Sequence, residues 1–173
     1  PAETLTAMKK KGWLKIPVVA IGTDYTCIPF WEETDCEYYV IPHEDLIEEF
    51  VKRGIPREKL LPWGIPVRQS FMKQWNKKEA RKICHIPQNN KSYLVMGGSM
   101  GFGKIQIFVL ELARRMEADE NMVVICGNNK KLEKLLKREL VHRKNVKVLG
   151  YTDQVAAYMA ACDVIFTKPG GLS

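Results

Sequence analysis

The chain has 173 residues, of which 46% are hydrophobic and 27% charged, enough to build a packed core in one large domain or two small ones. It contains no run of about 18 apolar residues, which excludes a membrane-spanning helix, and Pro1 to Lys15 lack the uninterrupted apolar stretch of a signal peptide. The net charge of +7 is uneven, −2 over residues 1–68 and +9 over residues 69–173, so the second half attracts anions such as acidic lipid, nucleic acid or phosphorylated ligands, or else simply carries solvated lysine-rich helix faces.

Apolar β-branched runs alternate with amphipathic segments along the chain, the pattern of parallel sheets with crossover helices. Leu5–Lys11 reads as the tail of a helix. Pro17–Ile21 reads as a buried strand and Glu37–Ile41 as the next. A helix is predicted over His43–Arg53, with Leu46, Ile47, Phe50 and Val51 on one apolar face and Gly54 ending it. Leu60 and Leu61 form a short strand. Gly64-Ile65-Pro66-Val67-Arg68 then interrupts the alternation, and its proline makes it a domain boundary, dividing the chain into 1–65 and 66–173.

After the boundary, Asn76 and Glu79 form a capping-box pattern that opens a helix to Cys84. Strands follow at Tyr93–Met96, Val123–Cys126, Val146–Leu149 and Val164–Thr167. Helices are predicted at about Ile105–Met116, Lys131–Val141 and Val155–Ala161. The chain stops on a Gly-Gly turn that should feed a helix, so it reads as a segment of a longer protein. Five dispersed cysteines with no Cys-x-x-Cys pair, and three scattered histidines, give no metal-ligand constellation and suit a reducing compartment.

Gly97-Gly98-Ser99-Met100-Gly101-Phe102-Gly103-Lys104 lies between a strand and a helix, where glycines let backbone amides approach a phosphate. Gly98, Gly103 and Lys104 fit a Walker A spacing, but the magnesium-binding hydroxyl that should follow is replaced by Ile105. The dinucleotide fingerprint fails as well, because Gln106 stands where its third glycine belongs. Further glycines follow strands at Gly127, Gly150 and Gly170-Gly171. Successive turns of this kind belong at the carboxyl edge of one parallel sheet, where nucleotide-type ligands bind.

These turns, with Gly150-Tyr151-Thr152-Asp153 and Thr167-Lys168-Pro169-Gly170-Gly171-Leu172-Ser173 in that order, resemble the C-terminal domain of the monogalactosyldiacylglycerol synthase and processive diacylglycerol glucosyltransferase family. That group is similar to the bacterial peptidoglycan N-acetylglucosaminyltransferase. Gly64–Arg68 resembles the family's interdomain junction, and Thr23-Asp24 the pair that ends a strand of its N-terminal domain. The resemblance implies an α/β fold of GT-B type, two Rossmann-like parallel-sheet halves.

It also implies an inverting hexosyltransferase that moves a sugar from a UDP-sugar to diacylglycerol. The relative acting on a peptidoglycan lipid precursor is the nearest alternative, and a P-loop-like NTPase the alternative of another class. The donor residues implied are Arg68, Gly97, Gly98, Ser99, Met100, Gly101, Gly127, Tyr151, Thr152, Pro169, Gly170 and Gly171. Thr23, Asp24 and Trp31 are implied on the acceptor side, with Phe30 and Trp31 equally explicable as core. The general base is expected outside the chain. No metal and no cofactor are expected beyond the UDP-sugar co-substrate, and no nucleic acid. The implied location is cytoplasmic and peripheral on the membrane, where Lys73, Lys77, Lys78, Arg81 and Lys82 would form a basic patch for an anionic surface.

Overall fold

A computed structural model describes residues 1–97 and 105–168. The chain forms two compact units, Pro1–Val67 and Arg68–Ser173.

In the first unit, α1 (Ala2–Lys10) precedes a parallel sheet of β1 (Val19–Ile21), β2 (Tyr38–Val40) and β3 (Leu60–Leu61), in the order β1-β2-β3. Ala20 and Tyr39 pair across one face and join Phe50, Ile41 and Leu60 in the core. Val19 and Ile21 point the other way and are 51% and 49% exposed. The sequence predicts a buried strand here. It is instead an edge strand with only one face covered, which its short apolar run does not reveal.

The predicted helix over His43–Arg53 is also different. Glu44–Leu46 is a turn of 3-10 helix, and α2 is only Ile47–Lys52, ended by Gly54 at φ +87°. The His43 ring accepts the Asp45 amide at 3.2 Å, a local bond that tightens the first turn. The apolar face survives the change: Phe50 is 1% exposed, and such burial is worth about 1.5–3 kcal/mol.

The second unit begins with a short helix, α3 (Gln69–Met72). There follow α4 (Lys77–Cys84), β4 (Lys91–Met96), α5 (Ile105–Arg115), β5 (Glu120–Ile125), α6 (Lys130–Glu139), β6 (Val146–Leu149), α7 (Val155–Ala161) and β7 (Val164–Thr167). The sheet order is β6-β5-β4-β7, all parallel. Strands β4 and β5 are nearly continuous apolar runs because both faces are covered, by α4 and α7 on one side and α5 and α6 on the other. Asn76 caps α4, its side-chain oxygen accepting the amides of Lys78 and Glu79 at 2.9 and 3.3 Å.

Arg81 ties the unit together. It is 5% exposed, and its guanidinium donates to the Ala161 carbonyl at 2.9 Å, to the Pro87 and Gln88 carbonyls, and to Asp163 at 2.8 Å. Asp163 in turn accepts the Ser92 amide at 2.7 Å and Lys77 at 2.5 Å. Burial raises the Asp163 pKa, but the bonds from Lys77 and Ser92 and the Arg81 charge outweigh it and leave the carboxyl below its usual range. Arg81 therefore does not belong to an exposed basic patch, a correction to the sequence reading. Its partner lies 82 residues away, beyond the reach of a local charge count.

Removing one partner of such a pair leaves a buried charge uncompensated. Asp163→Ala should destabilise the protein by about 3 kcal/mol, measured by urea unfolding. Lys77→Ala, which removes only an exposed arm of the network, should cost less than about 1 kcal/mol.

Candidate functional site

The strand order reverses between β4 and β7: from β4 the chain steps to β5 and β6 on one side, while β7, the last strand, lies on the other. A cavity of about 420 Å³ opens at this point. Gly97 and Thr167 stand at its mouth, and Ile105, Phe108 and Phe166 form apolar walls. The Phe108 and Phe166 rings meet edge to face at 4.9 Å. Ile105 packs against the core beside α5, so the position where a Walker loop needs a metal-binding hydroxyl is an apolar wall.

The register aligns the strand ends. Met96 pairs with Ile125 and with Thr167, and Ile125 with Leu149. The Cys126 amide extends the ladder by donating to the Leu149 carbonyl at 2.8 Å. Gly97, Gly127, Gly150 and Thr167 consequently lie along one edge. Gly127 has φ +57°, a left-handed conformation that favours glycine. Tyr151 is 67% exposed, and the Thr152 hydroxyl accepts the Gln154 amide at 3.1 Å, fixing the turn into α7. Gly98, Ser99, Met100, Gly101, Pro169, Gly170 and Gly171 lie outside the described residues. Arg68 is exposed and holds the N-cap position of α3, where its carbonyl accepts the Phe71 amide at 2.9 Å.

One side chain that sequence reasoning missed shapes this edge. Glu133, half-buried on α6, places a carboxylate oxygen 2.5 Å from where a Cβ on Gly150 would sit, and accepts Lys137 at 2.6 Å. Its i,i+4 spacing to Lys137 reads as an ordinary helix-surface pair. Cys126 beside it is no nucleophile: burial, with Glu133 adding, pushes the thiol up to about 11.

On the first unit, Thr23 and Asp24 are exposed just past β1, while Gly22 donates to the Val40 carbonyl at 2.8 Å. Trp31 is half-buried in the 3-10 turn Pro29–Glu33, edge-on to Phe30 at 5.3 Å and Tyr39 at 6.0 Å. The structure thus packs Trp31 against the core and leaves Thr23 and Asp24 to solvent. Glu49 clamps the segment between them, accepting the Thr26 hydroxyl at 2.7 Å and the Cys27 amide at 2.8 Å. Those two bonds, Thr26 first, hold the Glu49 carboxyl below its usual pKa. Arg53 adds a pair to Glu32 at 2.5 Å.

Residues 1–67 match the family described as monogalactosyldiacylglycerol synthase, and residues 92–173 the glycosyltransferase family 28 C-terminal domain. The whole chain aligns with processive diacylglycerol beta-glucosyltransferases of Staphylococcus carnosus, at 28% identity, and Staphylococcus aureus, at 25%. It spans 44% of the length of each. Among solved structures, UDP-GlcNAc 2-epimerase of Neisseria meningitidis, bound to UDP-GlcNAc, superposes with a TM-score of 0.68 at 20% identity, covering 98% of this chain and 51% of that one. MnaA of Staphylococcus aureus with UDP gives 0.57 at 13% identity, over 99% and 56%. HepE of Anabaena with UDP-glucose gives 0.52 at 15% identity, over 92% and 48%. These structural likenesses show the fold, two parallel-sheet α/β halves of GT-B type.

The contact between Glu133 and Gly150 is testable by unfolding in urea. Gly150→Ala should lower stability by less than about 1 kcal/mol, since the obstructing atom ends a flexible side chain, and Gly150→Ala/Glu133→Ala should recover the loss relative to Glu133→Ala. Gly127→Ala should cost about 1 kcal/mol in both backgrounds, because its penalty is in the backbone. Equal losses for Gly150→Ala with and without Glu133 would mean that the carboxylate does not limit that position.

Proposed function

We propose that the chain is part of an inverting enzyme of glycosyltransferase family 28 that transfers a hexose from a UDP-sugar to diacylglycerol at a membrane surface. The observation that carries the proposal is the carboxyl edge of the second unit, where the strand reversal, the cavity and the aligned glycines coincide. The names of the curated relatives support the lipid acceptor.

Each part has a physical task. Backbone amides at glycine turns can approach a diphosphate that a Cβ would hold away, and the helix starts behind them favour negative charge. Gly97, with Gly98, Ser99, Met100 and Gly101, would receive one side of the diphosphate, and Pro169, Gly170 and Gly171 the other. Tyr151 and Thr152 would present backbone to the uracil edge. Arg68 carries a permanently charged planar fork suited to two phosphate oxygens. Charge that develops on the leaving UDP is then met by oriented dipoles and a guanidinium. Thr23 and Asp24 would face the acceptor, just ahead of Thr26 and Cys27, which Glu49 holds. No helix of the described residues is long and apolar enough to cross a membrane, which suits an enzyme that meets its lipid peripherally.

A triphosphatase of the P-loop kind is not favoured, because Ile105 cannot ligate magnesium. Calorimetry separates the two readings: UDP should bind in the presence of a chelator, and ATP with magnesium should not compete. Tight magnesium-dependent ATP binding without UDP binding would reverse the assignment.

Arg68→Ala should weaken UDP binding by about 1.5–3 kcal/mol, roughly tenfold to a hundredfold, the typical loss of a hydrogen bond to a charged group. An unchanged dissociation constant would remove Arg68 from the donor site.

A further inference from the structure

We propose that the amino-terminal edge of the same four-stranded sheet carries a second anion site, one that takes a phosphate-bearing group. A cavity of about 540 Å³ lies there, within the size range of about 300–1,000 Å³ typical of small-ligand sites. Its walls are the first turns of α4, with Lys77, Lys78 and Arg81, the carboxamide side chains of residues 88–90, Lys91 at the start of β4, and Asp163 before β7.

The charge count favours an anion. Four cations face one carboxylate, and that carboxylate is already engaged by Lys77 at 2.5 Å, Arg81 at 2.8 Å and the Ser92 amide at 2.7 Å. Glu120, the other carboxylate that acts on Lys91, is held by the Tyr93 hydroxyl and by the Glu117 amide at 3.0 Å. Lys91 lies 5.4 Å from the Tyr93 ring centre, which places its ammonium without neutralising it. Even with Glu120 counted beside Asp163, four cations exceed two carboxylates, and the balance is positive in a concave site, where the field is focused rather than dispersed.

Donor chemistry selects the ligand class. Ammonium groups and carboxamide N–H groups on several walls suit a tetrahedral group with three acceptor oxygens better than a planar carboxylate. The Arg81–Asp163 pair forms a fixed floor, because Arg81 is 5% exposed and bonded to three carbonyls besides the aspartate. Asn76 already takes the amides of Lys78 and Glu79, so side chains and not the helix terminus make this site.

The cavity is distinct from the candidate donor edge. From Lys91 to Met96 strand β4 rises roughly 16 Å at about 3.3 Å per residue, and the two cavities sit at its opposite ends. The inference does not depend on the proposed donor function.

The ligand could be a soluble phosphate ester or the headgroup of an acidic phospholipid, and the test has an arm for each. The full chain is titrated with inorganic phosphate and with glycerol 3-phosphate at an ionic strength held constant by chloride, followed by NMR. It is also floated with vesicles of phosphatidylglycerol in phosphatidylcholine, and of phosphatidylcholine alone. Saturable binding of the soluble anions, or binding only to the anionic vesicles, is the expected result, and which of the two occurs identifies the source. Lys78→Ala/Lys91→Ala should weaken that binding by roughly tenfold or more, with the urea midpoint and the affinity for UDP unchanged. Both lysines are exposed, so the variant keeps the fold. A response that chloride reproduces, a variant that binds as well as the parent, or no binding in either arm would overturn the site.

Discussion

A guanidinium buried to 5% exposure must find partners for its N–H groups, and in this protein the search organises the second unit. Arg81 stands on α4, but its bonds reach the end of α7, the loop before β4 and the residue that opens β7. Asp163 closes the circuit by accepting the Ser92 amide and donating its own to the Ser92 carbonyl at 2.8 Å. One ion pair thereby fixes α4 and α7 on the same face and sets β7 beside β4. That neighbour relation is the strand reversal, and the reversal is what opens the carboxyl edge. The candidate donor site depends on a contact at the far end of the sheet.

Legibility in the sequence followed how local each cause was. Strands β4 to β7 were plain because parallel strands covered on both faces read as apolar runs, and α4 because Asn76 caps it within three residues. The lone face of β1 was not, since exposure of Val19 and Ile21 depends on which elements cover the sheet. The 3-10 turn at Pro29–Glu33 and the short α3 escaped for another reason: three to five residues carry too little periodicity to register. Arg81 was the sharpest failure. In a run of lysines it looks like surface charge, and only a partner 82 residues on makes it core.

The candidate site divides in the same way. Turns built from backbone were visible, because glycine after an apolar run marks where a side chain would intrude, and Gly127 carries the positive φ that explains its identity. Walls and clamps built from side chains were not visible. Ile105 and Phe108 read as the apolar stripe of α5, and Glu49 as one more charge on α2, yet the first two line the cavity and the third holds Thr26 and Cys27.

The two sites proposed at the ends of the second sheet would meet negative charge by opposite means. At the carboxyl edge the chain withdraws side chains, so that amide dipoles can reach a ligand at close range. At the amino edge the amides of Lys78, Glu79 and Ser92 are already taken by Asn76 and Asp163, so attraction there has to come from lysine and arginine. The +9 of this half is accordingly not one field. Arg81 is committed to the fold, Lys137 to Glu133, and Lys147 to the Cys84 carbonyl at 3.1 Å. Lys78 and Lys91 line the amino-edge cavity and leave its walls with more cations than carboxylates. Net charge on its own could not have distinguished those cations, since the difference lies in which carboxylates and carbonyls the fold brings within about 3 Å of each.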